Sequence, residues 1–468
     1  MTRSQRGRRA LIARGVLLLA AVLLLPLAAM LQAPRESAAQ SAGQDSLWAA
    51  SYDGAIGACA DPSSSAALSG CFASAATTWS ADEVVAVATD GVNVYFLSLT
   101  AGGLSCPIAD LGTNCTRIMA GGWGSNNMVS SLAAYDGQIW IGQSNGKIYR
   151  CPSNIPYVEQ TTAPPQCVLL DDAGDRSVTS LLLANGTLYA GLSEYGSEQK
   201  KQGLLWSCSP NIVNSCSTLD SYGNTSAESL AAGGGYLWAG LGNGIVWRCD
   251  LNAANACATW ENAGANWATS LSYDGQGTLY AAIDGNEYAG TSGVIWSCPT
   301  AYANGCSNLI SNVNGVSVAA GAGGVFSSTT SNGLHYGTSS FTAANVTIWK
   351  NSQLLYLPAD GPDGVGGVSV KMTAKSLGKK LDKRCDNPGK TPKATVTVTG
   401  PNGFERTLKT GICRVLNGGF AKETLDLLDP GEYTVRATAG KRSGQETFTI
   451  ERDRTKQVTV KLRCPAHG

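Results

Sequence analysis

Charge is scarce in this chain: of 468 residues, only 15% are Asp, Glu, Lys or Arg. Surface helices need a charged face opposite an apolar one, so a mostly helical protein is excluded as an expectation. Histidine is nearly missing, with His335 and His467 alone and far apart in sequence. That disfavours His-centred hydrolases and His-bound metals. No G-x-S-x-G elbow, phosphate loop, H-E-x-x-H or C-x-x-C-H phrase occurs, which removes the commonest hydrolase, nucleotide and haem readings. After residue 31 no apolar run reaches the length needed to span a bilayer.

What is present is glycine and cysteine, 56 and 15 residues. Abundant glycine suits many short strands joined by tight turns. The amino terminus carries Arg3, Arg6, Arg8, Arg9 and Arg14 ahead of an apolar run from Gly15 to Leu31, the order of an export signal. Ser37 and Ala39 fit a cleavage site, and Arg8-Arg9 resembles a twin-arginine signal. Residues 1–39 are therefore expected to be a signal peptide or a retained N-terminal anchor. Export places the cysteines in an oxidising compartment, where they form disulfides, and the protein at the cell surface or outside the cell.

The zero formal net charge hides a split. Residues 46–357 carry 8 basic and 20 acidic groups, a net of −12, whereas residues 358–468 carry 20 and 12, a net of +8. The C-terminal part is suited to an acidic envelope polymer or to the acidic region beside it, although a solvated surface explains the same charges. No nucleic-acid partner is expected.

One unit recurs: SLAAYDGQIWIGQSNGKIYRC from Ser131, SLLLANGTLYAG from Ser180, SLAAGGGYLWAGLGNGIVWRC from Ser229 and SLSYDGQGTLYAA from Ser270, with weaker copies from Val85 and Ser317. The starts are 46, 49, 49, 41 and 47 residues apart. That is the spacing of β-propeller blades. Asp136-Gly137, Asn185-Gly186, Asp274-Gly275, Asn145-Gly146 and Asn243-Gly244 sit where hairpins need positive φ, so these Asp residues read as turn formers.

Six units each carry a cysteine pair: Cys59 with Cys71, Cys106 with Cys115, Cys151 with Cys167, Cys208 with Cys216, Cys249 with Cys257, and Cys298 with Cys306. Each pair is expected to close the loop between third and fourth strands. Zinc is the rival, but the spacing is not C-x-x-C, so neither metal nor cofactor is expected. LWAASYDGAIGAC from Leu47 aligns with LWAGLGNGIVWRC from Leu237, so the first unit starts at its second strand, and Gln353 to Leu357 is expected to supply the missing innermost one. Strand-two aromatics Trp48, Tyr95, Trp140, Tyr189, Trp238, Tyr280 and Phe326 give seven blades, with six open if the last unit is irregular.

DGQIWIGQSNGKIYR resembles the propeller repeat in extracellular sensor regions of bacterial two-component regulators. The added cysteines, and the lack of a kinase or DNA-binding region, argue against signalling by this polypeptide alone. Sialidase-type and quinone-dependent propeller boxes are absent. From about Gly364 the strands become Lys- and Arg-rich, and LLDPGEYTV, with Leu428, Pro430, Gly431, Tyr433 and Val435, resembles the carboxypeptidase-regulatory or prealbumin-like sandwich. That resemblance implies a spacer or adhesion module, here an immunoglobulin-like β-sandwich. Of its cysteines, Cys385 and Cys413 are candidate disulfide partners and Cys464 is left over, free or joining a second chain as a covalent dimer, with other pairings among the three open. The expected layout is residues 40–357 as a disulfide-stapled all-β propeller and 358–468 as a basic β-sandwich.

The connectors entering the blades should share one face. There Trp123, Asn126, Asp172, Tyr195, Tyr222, Asn224, Trp267 and Tyr288 offer flat rings beside amides and carboxylates, suited to stacking on glycan or capturing peptide. Packing between blades is the plainer role for the same rings. A non-catalytic surface binding or adhesion protein is the first expectation. The alternatives are an extracellular polysaccharide-acting enzyme using Asp171, Asp172, Glu194 and Glu287, and a structural surface component.

Overall fold

Alternating apolar positions and glycine turns give a chain made almost wholly of antiparallel strands. The computed structural model describes residues 45–462 except 52–53, 73–76, 79–83, 99–101, 120–127, 157–163, 195–202, 224, 252–256, 265, 286–291, 322–323, 331–332, 338–340, 344–352, 358–365, 375–392, 402–403, 412–419, 440–441 and 452–454. The expected signal segment and Cys385, Cys413 and Cys464 lie outside the described residues. No helix among those described is long and apolar enough to cross a membrane.

The described residues of 46–357 form seven four-stranded antiparallel sheets, numbered first to seventh in chain order here. Their innermost strands touch in succession around a closed ring, and Gln353–Leu357 lies against Val84–Thr89 to complete it. This is a β-propeller. The closing strand is the one the repeat alignment supplies: Gln353–Leu357 pairs antiparallel with Ser46–Ala50, from Ser46 opposite Leu357 to Ala50 opposite Gln353. Both ends of the ring are thus held in one sheet, and no edge is left at the seam.

The serine that opens each repeat has a definite task. In the innermost strand of the third to seventh sheets the pairing register slips just before Ser131, Ser180, Ser229, Ser270 and Ser317. A bulge of this kind exposes backbone groups to the neighbouring sheet. The hydroxyls bridge there: Ser180 and Thr179 donate to the Ala227 carbonyl at 2.8 and 2.6 Å, Thr269 donates to Gly315, and Ser317 accepts from the Leu354 amide. The glycine of the W-x-G phrase faces this serine. A Cβ at Gly142, Gly191 or Gly240 would lie 2.3, 2.4 or 2.6 Å from the hydroxyl of Ser131, Ser180 or Ser229. The repeat therefore encodes contact between sheets as well as strands.

All six expected disulfides are formed, each closing the loop between the third and fourth strands of one sheet, with separations of 8 to 16 residues. The strand-two aromatics fill the space between neighbouring sheets, Trp48 and Trp238 with no exposed surface. The seventh sheet, 315–343, buries His335, whose Nε2 meets the Thr329 hydroxyl at 3.4 Å; burial holds its imidazole pKa below the usual value.

Beyond the ring, Phe420–Leu428, Gly366–Ala374 and Thr455–Leu462 make a three-stranded sheet, and Glu405–Gly411, Lys393–Thr399, Gly431–Ala439 and Arg442–Ile450 a four-stranded one. Period-two alternation turns Val396, Val398, Tyr433, Val435, Phe448 and Ile450 inward, where they meet Leu425, Val458 and Val460 in one core.

Candidate functional site

Antiparallel order sorts the loops of the ring onto two faces. The first hairpin turns and the disulfide loops fall on one face, and the connectors between sheets on the other. At the first turn Asp136 and Gly137 take φ of 46° and 69°, and Asn185 and Gly186 take 47° and 70°, the paired positive values of a tight hairpin. The second turns place only glycine, Gly146 and Gly244, at positive φ.

Of the site expected on the connector face, Asp172, Tyr222 and Trp267 are among the described residues. Trp267 opens the strand Trp267–Tyr273 and is 54% exposed. Asp172 is exposed, but its carboxylate accepts the Gly174 amide at 2.9 Å and so shapes the connector. Tyr222 corrects the expectation: it is buried, its hydroxyl donates to the Leu204 carbonyl at 2.6 Å, and its ring packs edge-on against Trp247. Burial also pushes its hydroxyl pKa up. Trp123, Asn126, Tyr195, Asn224 and Tyr288 lie outside the described residues. Asp172 and Trp267 sit on the third and sixth sheets, so the structure does not bring them together.

The candidate acids have other partners. Asp171 accepts the Cys216 amide of the next sheet at 2.9 Å, Asp220 accepts Cys257 at 3.0 Å and Glu261 accepts Cys306 at 3.3 Å. At these three junctions a carboxylate thus ties a fourth strand to the neighbouring disulfide. Glu287 lies outside the described residues, as does the Glu194 side chain.

The disulfide face carries a cleft that the sequence reading did not anticipate. It lies between the third and fourth sheets, has a volume of about 210 Å³, and is lined by Tyr135, Asp136, Gln138, Leu183, Asn185 and Asn211 among others. Tyr135 is 44% exposed. Below it the buried Trp140 donates its indole N–H to the Pro210 carbonyl at 3.1 Å, joining the two sheets, and Arg150 donates to the Asn211 side-chain oxygen at 2.9 Å. A ring, an aliphatic side chain and a few amide side chains in the lining are the ordinary furniture of a small-ligand site. The available signal was the tyrosine before Asp136-Gly137, but hairpin chemistry alone explained that phrase.

On the same face the C-terminal region meets the fifth and sixth sheets. Asp429, 6% exposed, accepts the Gly234 amide at 3.0 Å and the Tyr273 hydroxyl at 2.7 Å. Desolvation is the leading cause that raises the Asp429 carboxyl above the usual aspartate range and the Tyr273 hydroxyl above its own. Arg406 donates to the Gly235 carbonyl at 3.1 Å, pairs with Asp250 and lies 4.7 Å over the Tyr236 ring, where Arg248 also stacks, at 4.4 Å. At this junction a basic side chain from the C-terminal region meets an acid of the ring.

Comparison with known proteins names no family: no family model matches the chain. No curated protein matches it either. Solved structures similar to it include the computationally designed Ika8 protein, at 14% identity over 68% of this chain and 85% of that one, with a TM-score of 0.40. The WD40 β-propeller domain of Doa1 is 12% identical over 52% and 88%, with a TM-score of 0.32. PorZ, a surface component of the type-IX secretion system of Porphyromonas gingivalis, is 13% identical over 79% of this chain and 52% of that one, with a TM-score of 0.36. Likenesses this distant assign no activity.

Proposed function

We propose that this chain is an exported, non-catalytic binding protein of the cell surface: a seven-bladed propeller carrying a prealbumin-like sandwich, which captures glycan or peptide on the ring. Six local disulfides support an oxidising location, and residues 1–39 supply the export signal. The observation that carries the binding role is the disposition of the acids. Asp171, with its counterparts Asp220 and Glu261, holds a backbone amide of the neighbouring sheet, whereas the cleft nearby presents a ring beside amides. Hydrolysis by paired carboxylates needs both groups turned toward a substrate. Binding needs only shape, rings and hydrogen-bonding groups.

The sandwich serves as spacer and contact to the envelope, and Cys464 is available to join a second chain. The test is to pass the purified full chain over glycan and peptide arrays, with polysaccharide turnover assayed in parallel. Retention of a glycan or peptide without cleavage is expected. Turnover that disappears in Asp172→Asn or Glu194→Gln would replace the proposal with an enzyme.

A further inference from the structure

Resting on that binding function, we infer that the cleft on the disulfide face between the third and fourth sheets is a site for one neutral pyranose ring, such as the terminal sugar of a glycan. Its volume of about 210 Å³ decides the size of the guest. Pockets that enclose a whole drug-sized ligand start at roughly 300 Å³, so this cleft takes a single ring and leaves the rest of the chain outside.

The lining decides the chemistry. A pyranose has an apolar face of C–H groups and a rim of hydroxyls. The cleft answers with the half-exposed Tyr135 ring and Leu183 on one hand, and the amides of Gln138, Asn185 and Asn211 on the other. Aromatic rings of this kind present an apolar body with a polar tip, which suits a guest that is greasy on one face and wet at the edge. Charge narrows the class further. Asp136 is the one carboxylate among the lining residues, and the neighbouring Arg150 guanidinium is directed to Asn211. A carboxylated or sulfated sugar would meet the like charge of Asp136, which favours a neutral one.

The C-terminal region reaches the cleft border through Thr455, whose hydroxyl meets the Asn185 side-chain oxygen at 3.4 Å, and the lining residues all belong to the ring.

Saturation-transfer NMR on the full chain tests the inference, with the methyl pyranosides of glucose, galactose, mannose and N-acetylglucosamine as probes and sialic acid as the anionic comparator. At least one neutral glycoside should receive saturation, and Tyr135→Ala should weaken it about tenfold, the loss expected when a stacking ring is removed. Asn185→Gly keeps the positive φ of the turn and removes only the amide, so its loss of affinity is not a folding effect. Trp267→Ala, on the opposite face, should change nothing. Silence from every neutral glycoside, preference for sialic acid, or affinity untouched by both cleft variants would overturn the inference. An array ligand lost in Trp267→Ala and kept in Tyr135→Ala would sink the cleft while leaving the binding function standing. Blank arrays together with silent pyranosides would remove both.

Discussion

Strands 46–357 and strands 366–462 both bury one face of pleated sheet, yet they are held by different means. The ring spreads its apolar residues over many small clusters between neighbouring sheets, and closes the outer loop of six sheets with a disulfide. The C-terminal sheets rest on one shared core around Tyr433 and Phe448. A long repeat with many thin interfaces gains from local covalent closure, because each bridge shortens the freedom of the very loop that its sheet buries least. A two-sheet unit with a single core gets its cohesion from contiguity.

Reduction should separate the two regions most sharply. Every tryptophan of the chain stands at or before Trp349, so tryptophan fluorescence follows the ring alone. In denaturant, the ring transition should fall steeply with reductant. Cys151→Ser with Cys167→Ser, which opens the 16-residue separation, should lower stability by about 3 kcal/mol, and each 8-residue bridge by about 2 to 3 kcal/mol. A fluorescence midpoint indifferent to reductant would show that the cores between sheets suffice without sulfur.

A second substitution probes those interfaces directly. Gly191→Ala would put a methyl group 2.4 Å from the Ser180 hydroxyl and 2.7 Å from the Ala227 carbonyl oxygen, a backbone atom that cannot step aside. Overpacking at such a site costs about 1 to 3 kcal/mol, read in the same fluorescence transition. Equal stability of this variant and the parent would mean that the serine-to-glycine facing pair does not set the distance between sheets.

The repeat made this architecture readable. The period, the hairpin dipeptides and the cysteine pairs each recur, and the offset of the first unit pointed to Gln353–Leu357 as the closing strand, where the structure has it. Contacts between units were not readable in the same way. The opening serine looked like one more small residue of an inner strand until its hydroxyl was seen to reach the next sheet. Tyr222 and Asp171 stand in connector and outer-strand phrases that fit exposure or burial equally well, and only the packing turned the Tyr222 ring inward and gave Asp171 the Cys216 amide. The cleft arises from residues of two repeats, and a motif confined to one repeat does not reveal it.

The junction of the two regions carries the smallest effect and the clearest sign. Burial holds the Asp429 carboxyl above the usual aspartate value, with Asp274 adding like charge and the Gly234 amide and Tyr273 hydroxyl opposing. The docked state therefore binds its proton more tightly than a solvated Asp429 does. Linkage then makes the junction strongest at pH below the free aspartate value of about 4, weakening as pH rises through the raised value and level above it. Protease resistance of the C-terminal region should follow this curve between acidic and neutral pH, and the difference from Asp429→Asn isolates the contribution of this one group from other carboxylates. Tyr273→Phe removes a donor to the carboxylate, which raises the Asp429 pKa further and steepens the dependence. A parent chain and an Asp429→Asn variant with superimposable pH profiles would show that the ring and the C-terminal region are held together by Arg406 and its partners instead.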